Sequence, residues 1–438
     1  MTAAEVADPP ASTTSETGVG FATRVAVLST LGFGLAWAAL LALAWAGLYG
    51  APENVLHVRL FQHWANEILV LGGVPYLDFG IEYPPLGIAT FLVPMLVTGV
   101  DPSVAEYRTA FQVEMLAFGL VATYATVQAA AALDGSRRDL LLTGAVAAAA
   151  PLLMGPLIAG RFDVVPMALS ALALWSVLAG RQNFGAVFIA LGALVKLYPL
   201  FLAPFIAAYV WRHLGSRAAA QWCLIVLFVL VLGFGPFWVL AGDDVTGMLL
   251  RTLERPLQIE ALGASLLVLA NAVAGMPIEV VHSFDSWNLA GPTPDAIAAG
   301  QTLLSVPVLA ALFFRFGLGR AGPAALALVA AAALTVYVGL GKAFSPQYML
   351  WLFPLVALLP AALPTRPWGL AVIGLLTAAT LLTSIYYPAN YWPYVNGREL
   401  GWTLVVVGRN VLVMALVALL VVATWRATRG RGEAPATS

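Results

Sequence analysis

Apolar runs long enough to cross a bilayer recur along the chain, separated by short polar segments. A bilayer core takes about 20 apolar residues per helix, and residues 25–48 form the first run of that length. The runs are rich in Ala, Leu and Gly and lack the alternation of strands, which favours helices over an outer-membrane barrel. The pattern therefore predicts an all-α, polytopic membrane helical bundle.

Several of these runs are short or broken by proline, so the excess of Lys and Arg in cytoplasmic loops decides between topologies. About 12 transmembrane helices satisfy that rule, with both termini in the cytoplasm. The predicted spans are residues 25–48, 107–132, 140–158, 164–180, 184–197, 199–211, 220–240, 297–314, 323–340, 347–361, 367–385 and 402–424. The cytoplasmic side then receives Arg24, Arg137, Arg138, Arg181, Arg212, Arg217, Arg315, Arg320, Arg366, Arg426, Arg429 and Arg431.

Two further apolar runs, residues 86–100 and 261–276, are predicted to be juxtamembrane helices at the outer surface, because counting either as a span would reverse the side of the arginines that follow. They belong to two long outer loops, residues 49–106 and 241–296, and long ordered loops usually carry function. Most of the 22 acidic residues also fall outside or near the outer face. Any chemistry is therefore expected on the extracytoplasmic side.

Composition agrees with the pattern and excludes some classes of protein and of site. Of 438 residues, 61% are hydrophobic and only 10% are charged, with a mean hydropathy of +0.89, which excludes a soluble protein. Residues 1–24 are predicted to be a disordered cytoplasmic tail, 25–425 one membrane domain, and 426–438 a second cytoplasmic tail. The single cysteine, Cys223, excludes an internal disulfide and a multi-cysteine metal site. No zinc-ligand spacing is present, so we assign no metal ligands, and no feature suggests nucleic acid as a partner.

Carboxylates in the first outer loop are the candidate catalytic groups. The segment HVRLFQHWANEILVLGGVPYLDFGIEYPP begins at His57 and presents Asp78 and Glu82 before a proline pair. Two carboxylates four residues apart suit a general base or a ligand for a divalent cation. The alternative is that they cap the next helix or face water.

Cations at predicted outer helix ends are the candidate phosphate ligands. Lysine occurs only at Lys196, in KLYP, and at Lys342, in KAFSP. Both are interpreted as neutralising a phosphate at the membrane surface, with snorkelling to the headgroups as the alternative. Arg161 in GRFD and Arg255 in RTLERPLQIEAL join them. For these two the alternatives are a local ion pair and a solvated charged face.

Five residues in or near the same motifs are predicted to support the site. Glu260 is expected to orient Arg255 by a charge-assisted hydrogen bond, and His282 lies in the second outer loop. The supporting set is Asp163, Tyr198, Glu260, Gln347 and His282.

At these segments the chain resembles glycosyltransferase family 87, which includes polyprenol-phosphate-mannose-dependent mannosyltransferases. The matching pieces are WANEILVLGGVPYLDFGIEYPPLG, GRFDVVPMALSALAL, LGALVKLYPLFLAPF, RPLQIEAL and KAFSPQYMLWLFPL, which together run from residue 64 to residue 355. The resemblance implies a C-type membrane glycosyltransferase of a bacterial plasma membrane, with inversion at the anomeric carbon and a carboxylate base in the first outer loop. Where the family places an aspartate just after the first span, this chain has His57. Either His57 therefore takes the role of base, or Glu82 or Asp78 does, or the protein is no longer an active transferase.

The resulting functional hypothesis is transfer of a sugar, most simply mannose, from a polyprenyl-phosphate donor to a lipid-linked or cell-surface glycan. The expected partners are the bilayer, the donor and a glycan or glycolipid acceptor. No cofactor is required by this scheme, and a role for a divalent cation stays open. The alternative function is a transporter or flippase that moves a lipid-linked sugar without breaking a bond. Paired halves or helices broken at midplane would favour it, whereas the charges here gather at one face.

Overall fold

The computed structural model describes residues 16–48, 58–319 and 321–429. In the first half of the chain the helices are α1 (Glu16–Trp45), α2 (Val58–Leu69), α3 (Pro85–Thr98), α4 (Val104–Ala131), α5 (Arg137–Met154), α6 (Pro156–Gly160), α7 (Val164–Leu178), α8 (Gln182–Val195), a 3-10 turn (Tyr198–Leu202) and α9 (Ala203–Glu254). In the second half the elements are β1 (Leu257–Gln258), α10 (Leu262–Ala274), β2 (Glu279–Ser283), β3 (Ser286–Ala290), α11 (Pro292–Leu318), α12 (Pro323–Gly339), α13 (Tyr348–Ala357), a 3-10 turn (Leu359–Ala361), α14 (Arg366–Tyr386), α15 (Tyr391–Val395) and α16 (Leu400–Ala427).

Helical structure covers every predicted span, which confirms the polytopic helical bundle. In the described ranges six helical segments are long and apolar enough to cross a bilayer: residues 19–45, 104–131, 198–251, 292–318, 366–386 and 400–427. The third of these contains two spans, because Gly215 breaks the helix with a φ of 86°, a conformation that glycine adopts without a steric penalty. The predicted turn between residues 211 and 220 is therefore present.

The start of α1 differs from the prediction. The helix begins at Glu16 rather than at residue 25, so part of the predicted disordered tail is helical. The reason is local packing: Ala22 is buried, and the Arg137 guanidinium lies 5.1 Å from the centre of the Phe21 ring. These contacts give the polar end of the helix a partner on α5.

The loops gather at two opposite ends of the bundle. At one end Glu82 contacts Arg255 and Arg161 contacts Tyr387. At the other end the Arg212 guanidinium donates to the Gly319 carbonyl at 3.2 Å. Successive long helices therefore run in alternating directions, as the arginine count predicted. We call the first of these the site end.

The two apolar helices that were not counted as spans, α3 and α10, both return to the site end. The Tyr107 hydroxyl, near the start of α4, donates to the Phe91 carbonyl in the middle of α3, and α3 has 14 residues, fewer than the about 20 that a bilayer core takes. α10 leaves β1 and returns to β2, and both strands flank β3 in one antiparallel sheet of order β1-β3-β2. Their shortness, 14 and 13 residues, agrees with the prediction that neither helix crosses the bundle, and their position at the outer membrane surface stays a prediction.

Packing in the bundle follows the rules for helices in lipid. Nearly every residue of α12 is buried, as expected of a helix that is apolar on all sides. By contrast, Leu232 and Val239 on α9 are exposed and face the position of the acyl chains. α1 and α4 approach closely at Gly119, where a Cβ atom would overlap the Phe33 ring, because small residues allow helix backbones to approach within a membrane.

The alternating topology predicts which positions an aqueous thiol reagent reaches from outside intact cells. In a Cys223→Ala background, a cysteine replacing Asp285 should react with an impermeant maleimide, because this side chain is exposed at the site end. A cysteine replacing Arg138, which is exposed near the opposite end, should react only after the cells are lysed. Labelling of the Arg138 position in intact cells would contradict the topology.

Candidate active site

A cavity of about 900 Å³ opens at the site end of the bundle. Its walls come from the segments before α3, around α6 and α8, from the end of α9 through β3, and from the loops before α13 and after α14. Most of the predicted site residues line it: Glu82, Arg161, Lys196, Tyr198, Arg255, Glu260, His282, Lys342 and Gln347. The structure thus brings together residues that are far apart in the sequence.

Lys196 lies in a closed polar and aromatic environment just beyond the end of α8. Its ammonium group is 2.7 Å from Asp163 Oδ1, and the Trp351 indole N–H donates to the same oxygen at 2.6 Å. The Phe162 and Trp351 ring centres lie 4.9 and 5.2 Å from the ammonium. Asp163 is 1% exposed and so acts as the partner of Lys196. The Tyr198 ring stacks on Trp351 at 4.3 Å and completes this wall.

Arg161 follows the short helix α6, and its guanidinium points into the cavity wall. One terminal nitrogen donates to the Tyr387 hydroxyl at 2.8 Å. Its Nε is buried without a hydrogen-bond partner. The alternative of a local ion pair, with Asp163, is not what the structure shows, since Asp163 pairs with Lys196, so Arg161 keeps donor capacity for an anion.

Glu82 forms an ion-paired cluster with the end of α9. Arg251 Nε lies 2.7 Å from Glu82 Oε1, and Arg255 donates to Glu82 Oε2 at 2.9 Å. The expectation that Glu260 orients Arg255 is therefore wrong: Glu82 holds this guanidinium. A close contact between Gly87 and the Val195 carbonyl, which a Cβ would obstruct at 2.6 Å, places this cluster beside Lys196.

Lys342 and Gln347 frame the cavity from the loop before α13. The Lys342 ammonium donates to the Leu253 carbonyl at 2.6 Å, and its own carbonyl accepts from the Gln258 N–H at 2.9 Å. Gln347 Oε1 is buried without a hydrogen-bond partner. The two backbone contacts of Lys342 tie this loop to the end of α9 and to β1.

The backbone carbonyl of Glu260 is fixed by Arg409, which was not among the residues predicted from the sequence. Arg409 and Asn410, in α16, donate to the Glu260 carbonyl at 2.7 and 3.2 Å, and the Arg409 guanidinium lies 3.8 Å from the Phe344 ring centre. The signal was available, because an ionisable residue within an apolar span is a functional candidate by default. The positive-inside count ignored Arg409, since it lies in a span.

Burial dominates the electrostatics of the Glu260 carboxyl. It raises the pKa of Glu260 from 4.5 to about 7, against the opposing effects of Arg409 and of a hydrogen bond with the Tyr391 hydroxyl. Glu260 is 1% exposed. The group therefore changes protonation near neutral pH.

The raised pKa of Glu260 predicts a pH-dependent stability. The folded protein binds this proton more tightly than the unfolded chain. The contribution of Glu260 to the free energy of unfolding is therefore fully present below pH 4.5 and is lost as the pH rises through about 7. The loss attributable to Glu260 is about 3 kcal/mol. Thermal unfolding between pH 5 and 8 should show this fall in the wild type and a smaller fall in Glu260→Gln. The exposed Glu279→Gln is the control and should follow the wild type; identical profiles for all three proteins would contradict the assignment.

The three proposed bases lie in different places. Glu82 lines the cavity. Asp78 is exposed, lies outside the cavity lining, and accepts from the Val74 N–H at 2.7 Å, so it closes its own turn. His57 falls outside the described residues.

An apolar arm extends the cavity between α9, α11 and α12. It is lined by Phe201, Met248, Leu249, Leu253, Thr302 and Tyr337. Leu253 and Thr302 are exposed, so the arm opens sideways on the surface where the acyl chains would lie.

Within residues 16–48, 58–319 and 321–429, no three or more His, Cys, Asp or Glu side chains group in a way that could hold a metal ion. Two carboxylates at or beside the cavity are instead paired with cations: Glu82 with arginines and Asp163 with Lys196.

No protein-family model matches the chain, and no curated protein matches it. Among solved structures, the crystal structure of ArnT from Cupriavidus metallidurans bound to undecaprenyl phosphate is similar over 94% of this chain and 78% of that one. The TM-score is 0.48 and the sequence identity is 14%. A likeness at this level carries no argument about chemistry, which rests on the cavity itself.

Proposed function

We propose that the protein is a membrane glycosyltransferase that moves a sugar from a polyprenyl-phosphate donor to a lipid-linked or cell-surface glycan at the extracytoplasmic face. The observation that carries the proposal is one cavity with three parts: a cluster of cations, carboxylates beside it, and an apolar arm open towards lipid. A phosphate, a reacting hydroxyl and a prenyl chain need these three environments together.

The cations suit the donor phosphate. A sugar phosphodiester carries one negative charge, and its leaving phosphate gains a second as the glycosidic bond breaks. Lys196, Arg255, Arg161 and Lys342 line the same cavity and would stabilise that developing charge. Arg161 lines the cavity and its buried Nε has no hydrogen-bond partner in the fold.

The apolar arm suits the polyprenyl tail. Lipid tails are as apolar as these side chains, so van der Waals packing along Phe201, Met248 and Leu249, and not removal from water, would hold a prenyl chain there without a polar partner. Since the arm opens between α9 and α11, the long chain can continue into the bilayer.

Glu82 is the proposed base in this scheme. The acceptor oxygen forms a bond to the anomeric carbon while the bond from that carbon to the phosphate oxygen breaks, and the electron pair leaves with polyprenyl phosphate. The proton of the acceptor hydroxyl passes to Glu82, and attack opposite the leaving group inverts the anomeric centre. The Arg251 and Arg255 contacts fix the position of the Glu82 carboxylate before reaction.

The identity of the sugar rests on the resemblance to glycosyltransferase family 87. The segments that carry it contain Glu82, Arg161, Lys196, Arg255 and Lys342, which all line the cavity. Mannose is therefore the first sugar to test.

Purified protein should be incubated with radiolabelled polyprenyl-phosphate mannose and with glycolipid extracts as acceptors. The proposal predicts a new labelled product and release of polyprenyl phosphate. Transfer of glucose or galactose alone would keep the enzyme class and replace the sugar. Absence of transfer from all donors, with movement of intact donor between leaflets, would support the transporter instead.

A further inference from the structure

The hairpin of β2 and β3 forms the outer wall of the cavity. The sequence pattern did not predict it. His282 and Trp287 face each other across β2 and β3, with ring centres 5.0 Å apart. The Trp287 ring meets Trp392 edge-on at 5.7 Å, and Trp392 lies 5.7 Å from Tyr391. We call Trp287, Tyr391 and Trp392 the aromatic wall; all three line the cavity.

The hairpin turn is strained and firmly held. Phe284 and Asp285 both have positive φ angles, 54° and 49°, which are unusual for residues other than glycine and genuinely rare for a bulky one. The buried Asn288 amide compensates by donating to the Ser283 carbonyl at 2.7 Å. Strain of this kind persists where the surroundings fix it and is frequent at ligand sites. The fold therefore fixes the position of Asp285 at the cavity mouth.

The aromatic wall continues outward from the cations. Arg161 contacts the Tyr387 hydroxyl, and the Tyr387 ring lies 5.2 Å from Tyr391, which leads to Trp392. Trp392 is 51% exposed, so the wall ends in water. A donor sugar, one bond from its phosphate, occupies only the inner part; the outer part is free for a second ligand.

The chemistry of the outer part is that of a saccharide site. Pyranose rings carry one face of C–H groups that packs on aromatic rings, and hydroxyl groups at the edge that need polar partners. In the described part of the chain, the Asp285 carboxylate and the His282 imidazole nitrogens make no hydrogen bond, and both side chains line the cavity beside Trp287. An aliphatic alcohol would leave these groups unused.

We infer that the aromatic wall, with Asp285 and His282, binds the sugar residues of the acceptor, so that the acceptor is a saccharide chain rather than a simple lipid alcohol. The inference rests on the proposed glycosyl transfer in calling this saccharide the acceptor. Saccharide binding itself can be measured without donor. The competing interpretation is that Trp392 belongs to the aromatic belt at the membrane interface.

Saccharide binding is tested first, without turnover. Purified protein should show saturation-transfer NMR signals with mannose, glucose or galactose oligosaccharides of two to four residues, and Trp392→Ala should lose them. Trp45→Ala is the matched control, because Trp45 is 92% exposed at the site end and lies outside the cavity lining. Equal signals in both variants, or none in the wild type, would overturn the inference.

Acceptor kinetics then separate this inference from the proposed function. With the best-binding saccharide as acceptor, Trp392→Ala should raise the acceptor KM about tenfold with donor affinity unchanged, and Trp45→Ala should change neither. Transfer with an unchanged acceptor KM in Trp392→Ala would overturn the inference and keep the function. Saccharide binding that Trp392→Ala abolishes, in a protein that transfers no sugar, would overturn the function and keep the binding site.

Discussion

Glu82→Gln is expected to lower turnover by about 10² to 10⁴ while donor affinity changes little, because loss of a general base removes a transition-state interaction and leaves the ground state intact. The glutamine keeps the size of the side chain and can still accept from Arg255, which donates to Glu82 Oε2 in the wild type. Turnover at saturating donor, together with donor affinity by isothermal titration, measures the two effects separately.

Asp78→Asn is the matched control for that experiment. It makes the same chemical change four positions away, on a side chain that is exposed and bonded within its own turn, so turnover should stay near wild type. His57→Ala belongs in the same series. Loss of turnover in His57→Ala alone, with Glu82→Gln active, would assign the base to the histidine.

Lys196→Met is expected to weaken donor binding by about 1.5 to 3 kcal/mol, the usual contribution of a hydrogen bond to a charged group. The same change leaves the buried Asp163 carboxylate without its ion-pair partner, which costs about 3 to 5 kcal/mol of stability. A single variant therefore cannot separate binding from folding.

The double variant Lys196→Met, Asp163→Asn separates them. The asparagine introduced by Asp163→Asn retains an oxygen that can accept from the Trp351 indole, and the change removes the unpaired charge, so the unfolding temperature should recover towards wild type. Donor binding should stay weak, because the cation is still missing. Recovery of both properties would show that Lys196 serves only to neutralise Asp163, and would remove it from the donor site.

Local sequence was sufficient to predict the bundle. Hydropathy located the spans, and the arginines indicated that α3 and α10 do not cross, since counting either as a span would reverse the side of the arginines that follow. These features depend on the composition of single segments, so they need no knowledge of contacts between segments.

Pairing within the site could not be predicted in the same way. Glu82 and Arg255 are 173 positions apart, and Arg161 and Tyr387 are 226 positions apart; no local pattern distinguishes these partners from nearer ones. The grouping of candidates at one face was predictable, whereas the assignment of Arg255 to Glu82 rather than Glu260 required the fold.

The hairpin escaped prediction for a different reason. Its strands have five residues each, and its turn has Phe284 and Asp285 at the positions where Asn-Gly or Asp-Gly normally signals a two-residue hairpin. A short strand pair without that signal is hidden inside a chain of helices.

Bond cleavage tests the central claim most directly. Proteoliposomes containing the purified protein, radiolabelled polyprenyl-phosphate mannose and a saccharide acceptor should be followed for both the label and free polyprenyl phosphate. Glycosyl transfer predicts that the two products appear in equal amounts, and that Glu82→Gln suppresses both. Label that changes leaflet while still attached to its polyprenyl phosphate would contradict the account and identify a transporter.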